Sequence, residues 1–174
     1  MALALYDVSV TCFLQTLGGV AGFLEKGRKH FEATGIDPAT IVATRLTHDM
    51  LPFQFQIASV VHHTKGAIDG VKVGEFSPPG AMSPMTYAEL QALVADAIAA
   101  LKAVNADDIN ALEGGDMVFK LGEMRMPFTA EGFLLSFSLP NLHFHAATAY
   151  DILRQAGVNL GKRDYLGAMR MKVS

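Results

Sequence analysis

Three side chains able to bind a ligand or move a proton crowd into one short run: Asn141, His143 and His145, inside Phe133–Gly157 (FLLSFSLPNLHFHAATAYDILRQAG). Near neutral pH an imidazole takes up a proton, releases one or ligates a metal, while a carboxamide both donates and accepts hydrogen bonds. Leu142, His145, Ala149, Ile152 and Ala156 recur at spacings of three and four. That spacing puts His145 on the apolar stripe of a helix, facing inward, either as a hydrogen-bonded core histidine or as a ligand or base. His143 lies about 200° round the same helix and points elsewhere. The remaining candidates are His48, next to Asp49, and the pair His62-His63. Adjacent residues diverge by about 100°, so His62 and His63 cannot both reach one ion, and one of them faces solvent. Gln56, between these histidines, can line the same pocket as His145 or spend its amide on a cap. His30 falls in the last turn of the first helix, where a cation suits the dipole.

These groups need helices to hold them, and the chain reads as helices. Asp7 is the expected N-cap of a first helix running to about Thr34 and stopped by Gly35. Gly18, Gly19 and Gly22 inside it each cost about 1 kcal/mol relative to Ala, which predicts close approach by a neighbouring helix. Asp37-Pro38 opens a short turn to about Ala43. A second long helix is expected over roughly His48–Val71, with Pro52 near its start and a stripe of Met50, Phe53, Ile57, Val60, Val61, Thr64 and Ile68. Gly74–Pro84 is a turn-rich loop. Thr86-Tyr87-Ala88-Glu89 is a capping box that starts a third helix, Tyr87 to about Val104, and Asp107–Leu112 adds a short turn. Met117–Leu121 and Met124–Phe128 around Gly122-Glu123 predict a β-hairpin, marginal alone and therefore packed on the bundle or a partner. Thr129 starts the last helix. Pro140 is expected in a first turn, Gly157 is the C′ stop, and 158–174 forms an ordered turn and a fraying end.

The totals narrow the function classes. A chain of 174 residues, 51% hydrophobic and 18% charged, supports one domain (1–174) with one sizeable core and apolar surface to spare for a second subunit. A net charge of −3 with scattered Lys and Arg argues against nucleic acid. Neither a signal-peptide pattern nor an uninterrupted apolar run of membrane-spanning length is present, so no membrane role is expected. A single cysteine, Cys12, precludes an internal disulfide, fits a reducing cytoplasm, and reads as a small buried hydrophobe. The absence of G-x-S-x-G, H-E-x-x-H, C-x-x-C and Gly-rich phosphate loops weighs against serine-hydrolase, zincin and nucleotide chemistry.

Several segments together carry a resemblance: His48-Asp49-Met50-Leu51-Pro52, Leu139-Pro140-Asn141-Leu142-His143-Phe144-His145, Ala149-Tyr150-x-Ile152-Leu153-Arg154 and Leu160–Leu166. End to end the chain resembles a bacterial domain-of-unknown-function family within the DinB/YfiT-like superfamily. The resemblance implies a mainly α, up-down-down-up four-helix bundle, often dimeric, here with a small β-hairpin insert before the last helix. It also implies, in many members, nickel or zinc held by one histidine on the second helix and two, four residues apart, on the last; some members are thiol-dependent transferases. Carried onto this chain, those positions are His48, Asn141 and His145, with Asn141 where the pattern has histidine. An amide oxygen is a poor ligand for either metal.

The expected function is therefore a cytoplasmic protein that holds a small ligand in a pocket lined by His48, Asn141, His145 and Gln56. A second expectation is a Ni- or Zn-dependent thiol transferase or hydrolase with His48 and His145 as metal ligands. A third is a structural homodimeric interaction module.

Overall fold

The first long helix takes shape around a break. A computed structural model describes residues 3–172. In it α1 (Leu5–Val8) stops at Ser9, whose backbone (φ −114°, ψ −81°) leaves the helical region, and α2 (Val10–Thr34) begins at once. Ser9 Oγ donates to the Leu5 carbonyl at 2.6 Å. Asp7 thus lies inside the first short helix and caps nothing. Gly35, at φ +73°, ends α2 as expected. Together α1 and α2 are long and apolar enough to cross a membrane by length and composition, but half of the most apolar window is buried inside the bundle.

After α3 (Pro38–Ala43), capped by Asp37 accepting from the Ala39 N–H at 2.9 Å, the chain runs through an irregular stretch before α4. This helix starts only at Phe53, with Pro52 at the N-cap, and continues without interruption to Val73. It comprises Phe53–Val61, a π-turn at His62–Gly66, and Ala67–Val73. The start lies five residues beyond the expected His48 because a proline's preceding residue is driven out of the helical region. The third long helix, α5 (Tyr87–Lys102), carries the full capping box: Glu89 N–H donates to Thr86 Oγ1, and Thr86 N–H to the Glu89 carboxylate. A short α6 (Ala106–Asn110) follows, capped by Asn105.

The hairpin is present as β2 (Asp116–Leu121) and β3 (Met124–Thr129), in antiparallel register Val118↔Pro127. A third strand was not legible: β1 (Glu75–Phe76), at the head of the turn-rich loop, pairs parallel with β2 through Glu75↔Val118. The sheet order is β1-β2-β3. Its buried face, Phe76, Met117 and Phe119, packs on the bundle. Phe76 and Phe119 lie 5.0 and 4.7 Å, centroid to centroid, from Phe133 and Phe137 of the last helix.

The last helix, α7, is continuous over residues 130–155: Ala130–Phe133, a second π-turn at Leu134–Ser138, then Leu139–Gln155. Pro140 is therefore not in a first turn. Inside an ordinary helix its ring would clash with the carbonyl four residues back and a hydrogen bond would be lost; the π-turn just before it reorganises those carbonyls. The Asn141 side chain donates to the Phe137 carbonyl at 2.8 Å, satisfying one of them. Gly157, at φ +86°, follows the helix end, and a short α8 (Lys162–Leu166) lies across α2.

The four long helices α2, α4, α5 and α7 form the up-down-down-up bundle, with α4 packed on α7 and α2 on α5. Phe13, Phe23, Phe53, Leu17, Ile57 and Leu90 are fully buried between them. The glycines of α2 divide. A Cβ on Gly19 would sit 2.5 Å from the Tyr165 carbonyl of α8, so close approach does hold there, while Gly18 and Gly22 have nothing within 4 Å. Cys12 is only half-buried, its thiol near the guanidinium of Arg170 at 3.5 Å.

Candidate functional site

The seam between α4 and α7 brings together imidazoles that are 82 residues apart in sequence. His63, on the π-turn of α4, and His145, on α7, lie with ring centroids 5.8 Å apart and planes within 13° of parallel. His63 is buried and His145 half-buried. Around them stand Phe55, 5.8 Å from His145, and Phe76 and Phe137, 5.6 and 5.8 Å from His63. The small sheet thus supplies one wall of the site through Phe76. His62 turns to the edge, where its Nε2 meets the Ser77 carbonyl at 2.8 Å and its ring lies over Phe76 at 4.3 Å. One of the adjacent pair goes inward and the other outward, as helix geometry requires.

Gln56 is the residue that organises the chemistry. It is 2% exposed, and its Nε2 donates to the Leu51 carbonyl at 2.8 Å. A carbonyl accepts only, so this bond orients the amide and turns Oε1 toward His145 Nδ1, also at 2.8 Å. Oε1 in turn accepts only, so Nδ1 carries the proton and Nε2 is left with a free lone pair. Burial holds His145 down to about 4 and His63, helped by its imidazole neighbours, to about 3. Both rings are neutral at pH 7. His63 Nδ1 is in addition a buried nitrogen without a hydrogen-bond partner, and so is Ser138 Oγ on the second π-turn. A buried polar atom left unmatched costs about 1–3 kcal/mol.

The four residues expected from the sequence separate into two groups. Gln56 and His145 come together. Asn141, one turn before His145, has its amide N–H committed to Phe137. His48 does not join them in the helix: it lies exposed in the turn before Leu51, its Nδ1 3.5 Å from Thr47 Oγ1. Of the two imidazoles on α4, His63 is the one that lies beside His145. His143 is exposed, beside the Tyr165 hydroxyl at 3.2 Å.

The superfamily's nickel or zinc calls for three imidazoles, and this donor set does not match it. Two imidazoles converge, and the third position is a carboxamide already engaged with backbone. Among the described residues no group of three or more His, Cys, Asp or Glu side chains could hold a metal ion. Nor does a wide groove elsewhere on the bundle coincide with the histidines. It has a volume of about 750 Å³ and lies between α3, α4 and α5, whereas Phe55 and His62 border smaller recesses of about 340 and 290 Å³. The chemistry, not the volume, marks the histidine seam.

Residues 5–166 match the family described as "Domain of unknown function (DUF1993)". The chain belongs to the DUF1993 family. Among solved structures it is similar to a DinB family member protein from Shewanella denitrificans, with 28% identity, a TM-score of 0.80, and coverage of 98% of this chain and 96% of that one. No curated protein matches it. The DinB-like bundle expected from the sequence is thereby established for this DUF1993 chain.

Proposed function

We propose that the protein binds a small uncharged molecule at the α4–α7 seam, accepting a hydrogen bond from the ligand's hydroxyl, thiol or N–H on His145 Nε2. The observation that carries this reading is the relay from the Leu51 carbonyl through Gln56 to His145. With Nδ1 committed to Gln56, Nε2 is the nitrogen of His145 left as an acceptor for a ligand. Neutral rings offer no charge to an anion, while Phe55, Phe76 and Phe137 suit a flat apolar body.

Ligand-observed NMR with a set of small phenols, alcohols and thiols tests it. Hits are expected to bind the wild type and to be lost in His145→Phe, which keeps the aromatic volume and removes the nitrogen. Equal binding to both proteins would overturn the reading. The Ni- or Zn-dependent transferase reading ranks second, because it needs a third imidazole where Asn141 stands. A cytoplasmic setting is supported by the single cysteine. A homodimer would draw on Leu121 and Met124, each 48% exposed on the hairpin, and analytical ultracentrifugation tests that.

A further inference from the structure

The 750 Å³ groove shares no residue with the histidine seam, and its construction points to a ligand of a different kind. Its walls are apolar: Val42 and Ala43 of α3, Pro52 before α4, Met85, and Ala88 in the first turn of α5. Tyr87 forms part of the lining, and its ring is fixed. It is 4% exposed, lies parallel to Phe53 at 6.0 Å and edge-on to Phe31 at 5.4 Å, and its hydroxyl donates to the Leu24 carbonyl at 2.8 Å. The wall is therefore preformed, and the volume falls in the usual range for small-molecule sites.

The polar groups at the rim are mostly committed. Gln54 uses both ends of its amide, donating to the Ser83 carbonyl and accepting from the Met85 N–H. Asp37 caps α3. Arg28 is paired with both Glu25 and Glu32. Arg45 differs. It is exposed, its guanidinium reaches only the Met50 carbonyl, and no carboxylate among the described residues lies within ion-pairing distance of it. A guanidinium carries five N–H donors in a planar fork, so most of this one is free for a planar anion.

We propose that the groove binds a small monocarboxylate with an apolar body, the carboxylate on Arg45 and the body along Val42, Met85 and Ala88. Arg28 and Asp37 also line the groove but are each already engaged, so the cation left for an anion is Arg45, beside a rigid and mainly apolar wall. An apolar cation would meet Arg45 unfavourably, and a bare inorganic anion would leave the wall wet.

The test is an amide-resolved NMR titration with sodium octanoate, with octyltrimethylammonium as the charge-reversed probe. Octanoate is expected to shift the amides of Ala39, Val42, Ala88 and Gln91 saturably. Arg45→Gln should weaken binding at least about tenfold, since a charge-assisted pair is replaced by a neutral one. Ala43→Trp should abolish it by filling the groove, and Ala88→Leu serves as a second filler should the first not fold. His145→Phe should bind octanoate like the wild type, so failure here and failure at the seam are told apart. The proposal is overturned if octyltrimethylammonium saturates the same amides as tightly. It is equally overturned if Arg45→Gln binds octanoate unchanged, or if the shifts fall elsewhere.

Discussion

Gln56 Oε1 lies 2.8 Å from His145 Nδ1, across 89 residues of sequence, while the other end of the same amide is held by the Leu51 carbonyl five residues upstream. A backbone group thus dictates which nitrogen of a distant imidazole is protonated, and through that which nitrogen faces a ligand. The consequence is measurable without knowing the ligand. In Gln56→Leu the ring loses its orienting acceptor. Nitrogen-15 shifts of His145 should move from a pure Nδ1–H form toward a mixture. Stability should fall by about 1–3 kcal/mol as a ring N–H loses its partner. Unchanged tautomer populations would show that Gln56 does not set the ring.

The depressed imidazoles also fix the sign of the pH dependence. His145 at about 4 and His63 at about 3 lie below the value near 6.5 of an unfolded chain, in both cases chiefly through burial. Between those limits the unfolded state binds more protons, so stability is greatest above about pH 6.5 and declines as the pH falls toward 4. Melting temperatures measured from pH 8 to 4 should show that decline. The double variant His63→Gln, His145→Gln should flatten it, and an equally steep fall in that variant would assign the effect to other groups.

Metal binding turns on one residue. Purified protein is expected to retain no stoichiometric nickel or zinc by elemental mass spectrometry, because two imidazoles and a committed amide make a weak donor set. Asn141→His places an imidazole one turn from His145 on the same helix, at the spacing that lets two side chains meet. This variant should bind zinc at least about tenfold more tightly than the wild type by competition with a chromophoric chelator, at some cost in stability from the lost bond to Phe137. A wild type already loaded with metal would refute the first half, and no gain in Asn141→His the second.

Gly27 offers a test of the aromatic wall. A Cβ there would overlap the Tyr87 hydroxyl and sit 3.5 Å from Leu153 Cδ2. Gly27→Ala should cost about 1–3 kcal/mol through overpacking. In a Tyr87→Phe background, where the hydroxyl is gone, the same change should cost less. Urea unfolding of the four proteins in a double-mutant cycle measures the difference, and additivity would place the strain elsewhere.

Most of the fold was legible because its signals are local. The Asp37-Pro38 pair, the Thr86–Glu89 box, Gly35, Gly157 and the Gly122-Glu123 turn each satisfy backbone groups within a few residues, and all fall where the spacing predicts. Spacing also puts His145 on an inward face, whereas for Gln56 it leaves open the choice between pocket and cap, and the structure uses the amide for both the Leu51 carbonyl and His145. What escaped was non-local or irregular. Strand β1 has two residues and exists only because β2 lies beside it. The choice of His63 over His48 depends on where α4 begins and on a π-turn, and a pattern read at 3.6 residues per turn contains neither. Proline at position 52 is the signal in the sequence for the late start, since it stands at the N-cap and not inside the helix.

Both helices that carry the site contain one π-turn, at 62–66 in α4 and at 134–138 in α7. Such a turn amounts to a single codon absorbed without breaking the rod, at the expense of a widened ring. Its effect is angular: everything on one side is rotated about 100° against everything on the other. Chain length in these two stretches therefore behaves like the setting of a dial. Losing one residue there would leave a smoother helix of nearly the same span, yet would swing His63 or Phe137 out of the seam. The loop at 78–84 lies in no helix or strand and has no such phase to lose. Insertions and deletions that the loop could take up ahead of Ser83, whose carbonyl Gln54 holds, would in the π-turns redirect the site.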